Sequence, residues 1–282
     1  MRRTAVVFLL APAAMFALDY SQEIAAFRTQ REQSLRAPDG WASVVGLWWL
    51  KQGPNRVGSD PTSEVALPAS APARLGTLTL KAGTVTFQPA AGVNLPAQEM
   101  KEDTTILTAG TVKFFLIKRG DKAGIRVKDS AAPTRTHFTH LSWYPPDPSW
   151  RIRARFTPWD KPHKITFDTV VDGLKEDDES PGYVTFTKDG REFRLEPVLD
   201  EGELFFVFRD QTSGKTTYGA SRFLYADAPR NLKISSPVIL DFNKAINPPC
   251  VFTAYATCPL APPQNRLALA VTAGELMYNG HR

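Results

Sequence analysis

Three arginines alternate with apolar residues in Arg151-Ile152-Arg153-Ala154-Arg155-Phe156. Successive side chains on a strand point to opposite faces, so Arg151, Arg153 and Arg155 would share one side. A planar guanidinium donates two parallel hydrogen bonds to a carboxylate or phosphate, which makes the row a candidate binder of an anionic small molecule. The plainer use of such a row is a solvated face paired with acids from a neighbouring strand. Glu192, Glu196 and the run Glu176-Asp177-Asp178-Glu179 are available for that. A second set of polar residues follows: Arg209, Asp210, Tyr218, Arg222, Asp241, Asn243, Asn247, Asn265 and Arg266. Gathered in one cleft, they would supply the carboxylates, phenol and cationic groups of an enzyme site, a hydrolytic one included.

Cys250 and Cys258 are eight residues apart, and an even pair at short separation in an oxidising compartment reads as a disulfide. Two sulfurs are too few for a zinc site, which needs four ligands, and His137, His140, His163 and His281 are distant in sequence. No metal or cofactor is expected. Ser213-Gly214-Lys215-Thr216 has the end of a phosphate-binding loop, but Asp210 stands where its earlier glycine belongs and the residues that follow are strand-like. The expected structure is a turn in which Asp210 and Ser213 bond nearby backbone. Neither Gly-x-Ser-x-Gly nor His-Glu-x-x-His occurs.

The chain begins Met1-Arg2-Arg3, continues with the apolar run Thr4–Leu10, and reaches Ala11-Pro12-Ala13-Ala14-Met15-Phe16-Ala17. A basic start, a short apolar stretch and small residues at its end form the layout of a secretory signal. Cleavage is expected after Ala13, Ala14 or Ala17, which places the protein in the periplasm or outside the cell. The apolar run is short for a membrane span of about 20 residues, so no stable span is expected after processing. The net charge is +5, and +3 without Arg2 and Arg3. That excess is mild and forms no dense basic stripe, so a nucleic-acid partner is not expected.

What must position these groups is mostly β: two β-sandwich or barrel-like units with an N-terminal helix. The 43% hydrophobic content supports a buried core, and 23 prolines disfavour long helices. After the signal (1–17), the best helical segment lies within 18–40. Ile24, Phe27, Arg31 and Leu35 recur on one face, Ser21 is a candidate cap, and Pro38-Asp39-Gly40 is a turn. That helix is expected to lie across a sheet, and a second short helix to begin near Trp41. Residues 41–145 and 146–282 then read as short strands, divided by Tyr144-Pro145-Pro146-Asp147-Pro148. Leu75–Lys81 and Gly83–Gln88 alternate polar and apolar around a tight turn, and Lys188-Asp189-Gly190-Arg191 is a second hairpin signal. A last strand is expected at Leu267–Thr272.

Several stretches resemble the bacterial family known as domain of unknown function 1684. They are Val45–Lys51 with Val57–Asp60, Ile117–Asp121 with Gly124–Asp129, Ser180–Tyr183, Phe206–Gly214 and Tyr218–Leu224, and the tail Asp241–Cys250 through Cys258-Pro259-Leu260. The resemblance implies no established activity. Within it, Asn55-Arg56-Val57-Gly58-Ser59-Asp60 followed by Val65-Ala66-Leu67-Pro68 is similar to the start of a forkhead-associated β-sandwich. Ser59 replaces the arginine of that pattern, and Ser70-Ala71-Pro72-Ala73 lacks its serine-to-histidine pair. The likeness therefore implies the fold and not phosphopeptide binding. The function expected from all of this is an exported ligand-binding or structural β module, with an enzyme built on the C-terminal polar residues as the alternative.

Overall fold

Alternation of polar and apolar residues makes one face of each strand able to leave water, and two such faces together make a core. The computed structural model, which describes residues 11–278, shows this arrangement twice. In the first unit the strands are β1 (Val44–Trp49), β2 (Gly53–Gly58), β3 (Val65–Ala66), β4 (Gly76–Lys81), β5 (Thr84–Pro89), β6 (Gln98–Glu99), β7 (Ile106–Ala109), β8 (Val112–Arg119) and β9 (Lys122–Asp129). They form a sheet β1-β9-β8-β7 and a sheet β3-β2-β4-β5-β6. Leu78, Val85 and Phe87 of the second sheet meet Phe114, Leu116, Ile125 and Val127 of the first in one core.

The second unit contains β10 (Arg151–Asp168), β11 (Lys175–Lys188), β12 (Arg191–Leu195), β13 (Val198–Asp200), β14 (Glu203–Phe208), β15 (Arg222–Asp227) and β16 (Ser236–Asp241). Its sheets are β12-β11-β10-β16 and β13-β14-β15. Phe156, Val184, Phe186 and Leu240 pack against Leu204, Phe206, Phe208 and Leu224. The opposite face of β14 and β15 is also covered: Val207 and Phe223 pack with Ile165, Phe167, Ala256 and Cys258.

The hairpins form where their turn residues allow it. Ala82 (φ 50°) and Gly83 (φ 79°) link the Lys81–Thr84 pair, and Asp189 (φ 51°) and Gly190 (φ 72°) link Lys188–Arg191. Positive φ at both central residues is the turn that follows strand twist, and glycine takes it at little steric cost.

Four expectations need correction. Helix α1 spans Ala11–Arg36 without a break, so Ser21 lies inside it and cannot cap it. Its buried side is the expected one, with Ile24 and Leu35 covered, but it docks on the short helical turns and the C-terminal tail rather than across a sheet. The segment at Trp41 is a single 3-10 turn (Trp41–Ser43) that leads into β1, a strand the sequence did not reveal. Residues 267–272 form no strand. Their backbone bonds instead to the 209–211 segment, through Leu267 N to Arg209 O at 2.7 Å and Gln211 N to Leu269 O at 2.9 Å. The signal-like start, Met1–Leu10, lies outside the described residues. Among the described residues no helix is long and apolar enough to cross a membrane.

Ile24 is fully buried under α1. Ile24→Ala should lower unfolding free energy by about 2–4 kcal/mol through lost burial and a residual cavity, measured by urea denaturation.

Candidate functional site

The nine polar residues of the second half do not converge. Arg222 Nη1 lies 3.1 Å from Asp210 Oδ2, with both side chains fully buried. Asp210 Oδ1 accepts from Thr212 N at 2.8 Å, Thr212 Oγ1 at 2.6 Å and Val271 N at 3.2 Å. Arg222 also donates to Val271 O at 3.2 Å and to Ala273 O. The polar turn is thus closed by Asp210, as expected, and tied to the tail. Asp241 and Asn243 form a second knot. Tyr20 donates to Asp241 Oδ1 at 2.9 Å, and Asn243 Nδ2 donates to Tyr20 Oη and Asp147 O, both at 2.8 Å. Burial, with the nearby Asp241 carboxylate, pushes the Tyr20 phenol well above its usual value. Asn265 clamps the Glu196 backbone, donating to its O and accepting from its N at 2.8 Å each. Arg209 and Arg266 are bridged through their backbones, and Arg266 Nε donates to Ala261 O at 3.3 Å. Each of these groups anchors one segment of the chain to another.

The arginine row keeps its geometry: Arg151, Arg153 and Arg155 are exposed while Ile152, Ala154 and Phe156 are buried. Of the acids proposed to face it, Glu192 lies in one surface pocket with Arg153 and Arg155, while Glu196 and Glu176 go elsewhere. Arg151 pairs with Glu23 at 3.6 Å, Glu196 with His163 at 2.5 Å, and Glu176 with Arg119 at 3.0 Å. The expected disulfide is also corrected, because Cys250 and Cys258 are free thiols. Cys250 N–H donates to Cys258 Sγ at 3.2 Å and the Cys250 thiol donates to Tyr218 Oη at 3.6 Å, so the sulfurs are neighbours held by hydrogen bonds. Side-chain hydrogen bonding with Cys258, then with Tyr218, lowers the Cys250 thiol, whereas the interaction with Cys250 and burial raise Cys258.

A cavity of about 440 Å³ lies between the two units. Its first wall is the outer face of β8 and β9. Ala123, Ile125 and Val127 point into the first core, so the alternate position Arg126 points the other way, as does Arg119 further along the same face of β8. The second wall is the outer face of β14 and β15, with Phe205, Phe223 and Tyr225, opposite to the core-facing Leu204, Phe206 and Leu224. The tail closes it with Ile246, Asn247 and Cys258, and Glu176 enters from β11. Of the nine candidates from the sequence, Asn247 alone reaches this cavity.

Arg126 is 5% exposed. Its Nε and Nη2 are buried without a hydrogen-bond partner among the described residues, and it takes part in none of the ion pairs there. Its Cζ sits 4.9 Å above the ring of Trp41, a contact that orients the guanidinium without using its N–H groups. Burial, with Arg119 adding to it, pushes Arg126 down to about 10, still a cation at neutral pH. On the opposite side, Asn247 is fully buried and holds Glu275 Oε1 and Leu276 O through Nδ2 at 2.7 Å each, while its Oδ1 accepts nothing. Nine buried side-chain polar atoms lack a hydrogen-bond partner among the described residues. Five belong to this lining: Arg31 Nε and Glu176 Oε1, each of which sits in an ion pair, and Arg126 Nε and Nη2 and Asn247 Oδ1, which lie in neither a hydrogen bond nor an ion pair among the described residues. Unsatisfied buried groups are rare in native proteins, and their concentration in one place marks a site built for something else to complete.

Arg126, Arg119 and Trp41 were not singled out from sequence as site residues, and Glu176 was expected beside the arginine row instead. Gly124-Ile125-Arg126-Val127-Lys128 reads as a strand with one solvated face, and nothing local says that a second unit covers that face. Glu275, fully buried under Asn247 and 3.5 Å from Arg31, was missed in the same way.

The fold and site define a two-unit β protein with a polar cavity at the junction. The sequence model of the family described as protein of unknown function (DUF1684) matches residues 136–276, and the chain belongs to that family. The matched span holds the tail and the 206–224 motifs and excludes the stretches at 45–60 and 117–129. A solution NMR structure of an uncharacterized protein from Haloarcula marismortui is similar at 33% identity, over 50% of this chain and 78% of that one, with a TM-score of 0.43. No curated protein matches the chain.

Asp210→Ala leaves the Arg222 charge buried without its counter-ion. It should cost about 3–5 kcal/mol of stability in chemical denaturation. Iodoacetamide at neutral pH should label Cys250 before Cys258, read by peptide mapping, because Cys250 is the more acidic and the less buried of the two.

Proposed function

We propose that this protein is a binding module that takes a small ligand bearing one anionic group into the cavity between its β units, anchored by Arg126. The observation that carries this reading is the Arg126 guanidinium, buried, charged and without an ion-pair partner among the described residues. Burying an unpaired charge costs several kcal/mol, and an anion entering the cavity would offset that cost with charge-assisted hydrogen bonds. The cavity volume is within the range of small-molecule sites, about 300–1,000 Å³, and its walls combine aromatic rings with a few polar groups. The enzyme alternative is the weaker reading, because the residues on which it rests are engaged in separate anchors.

Export belongs to the same proposal. It is supported by the basic start, short apolar run and small residues of positions 1–17. The forkhead-associated likeness of residues 41–145 is proposed as architecture only, supported by the packing of two sheets on one core. At the position of the pattern's arginine, Ser59 donates to Ala71 O at 2.8 Å.

Thermal-shift screening of small carboxylates and phosphate esters at low ionic strength tests the binding reading. At least one should raise the melting temperature of the wild type and none that of Arg126→Met. Without ligand, Arg126→Met should be more stable by about 1–3 kcal/mol, because an apolar chain of similar length replaces an unpaired buried cation. A merely structural arginine would give the opposite sign. For export, the intact mass of protein secreted by a bacterial host should lack the first 13–17 residues.

A further inference from the structure

The lining of the cavity narrows the ligand further. Three arginines reach it, but two are already paired. Arg31 lies 3.5 Å from Glu275 and donates to Asn247 O at 2.9 Å. Arg119 lies 3.0 Å from Glu176 and donates to Thr257 Oγ1 at 3.2 Å. Arg126 is the one lining arginine in no ion pair among the described residues, with Asp103 and Glu176 acting on it only at longer range, so it is the group left to meet one negative charge on a ligand. A phosphate dianion would bring a second charge that no free cation in the lining meets.

The acceptors carry the other half of the argument. Glu176, Asp178 and Asp200 line the same cavity, so its three arginines face three carboxylates. A ligand that is only negative would meet those carboxylates with nothing to offset them. Asn247 Oδ1, fully buried and without a donor among the described residues, is free to accept an N–H or O–H. Between these polar ends the wall is apolar, formed by Phe205, Phe223 and Ile246.

Resting on the anion-binding reading above, we infer that the ligand is a zwitterion of the apolar α-amino-acid type. Its carboxylate takes the free Nε and Nη2 of Arg126. Its ammonium donates to Asn247 Oδ1 and the Glu176 carboxylate. Its side chain packs on the aromatic wall.

Isothermal titration of the purified chain separates the two levels of this claim. The probes are leucine and phenylalanine, their deaminated counterparts 4-methylpentanoate and 3-phenylpropionate, and phenyl phosphate. At least one amino acid should bind about tenfold or more tighter than its deaminated counterpart, the value of one charge-assisted hydrogen bond. Glu176→Gln should weaken the amino acid and leave the deaminated acid unchanged. Arg126→Met, shown by circular dichroism to be folded, should bind neither. Equal or tighter binding of a deaminated acid or of phenyl phosphate overturns the zwitterion and leaves the anion site standing. Binding that survives Arg126→Met, or no binding by any probe, overturns both.

Discussion

The buried ion pair between Arg222 and Asp210 holds the C-terminal tail against the second sandwich, and the rest of the junction is built on that tail. Arg222 sits at the start of β15 with no exposure, and its guanidinium reaches Asp210, Val271 O and Ala273 O together. Asp210 in turn accepts from Val271 N. A pair this deep gains little net stability over apolar packing, but it tolerates few alternative arrangements, because either charge left alone would be costly. Its effect is to give an irregular segment one position. From there Glu275 is presented to Asn247, and Asn247 to the cavity.

The junction also depends on sheets that are buried on both faces. In an antiparallel sandwich one face of each sheet meets the core and the other usually meets water. Here the outer face of β8 and β9 and the outer face of β14 and β15 turn toward each other, with α1 and the 249–259 loop filling the gap. Polar links cross it, such as Thr253 Oγ1 to Val44 O at 2.9 Å and Arg119 to Thr257, beside the apolar packing of Trp41 and Ala42 on the tail. A junction joined by such links leaves a cavity with charged lining, where a junction packed by large aliphatic side chains would have closed on itself.

The contrast between the two arginine sites follows from the same geometry. Arg151, Arg153 and Arg155 lie on a face that remains in water, where hydration removes the need for a buried partner and Arg151 has only an exposed one in Glu23. Arg126 occupies the equivalent position on its strand, but its face is covered and hydration is lost. The same residue type in the same alternating pattern is ordinary surface in one strand and an unsatisfied cation in the other.

Much of the fold was legible locally. The period-two alternation located most strands, Ala82-Gly83 and Asp189-Gly190 marked their hairpins, and Ile24 with Leu35 identified the docking side of α1. These features depend on neighbours within a few residues, so sequence determines them. The turn at Asp210 was legible for the same reason. The partners of Arg222, Asn243 and Asn265 were not, since each bonds to segments that only the folded tail brings near. Nor was Arg126, because Ile125-Arg126-Val127 has the same alternation whether its polar side meets water or a second unit. The sequence by itself determined which faces leave water first. Only the tertiary structure decided which of the remaining faces are covered as well, because that depends on the packing of one sheet against another and not on the order of residues within either.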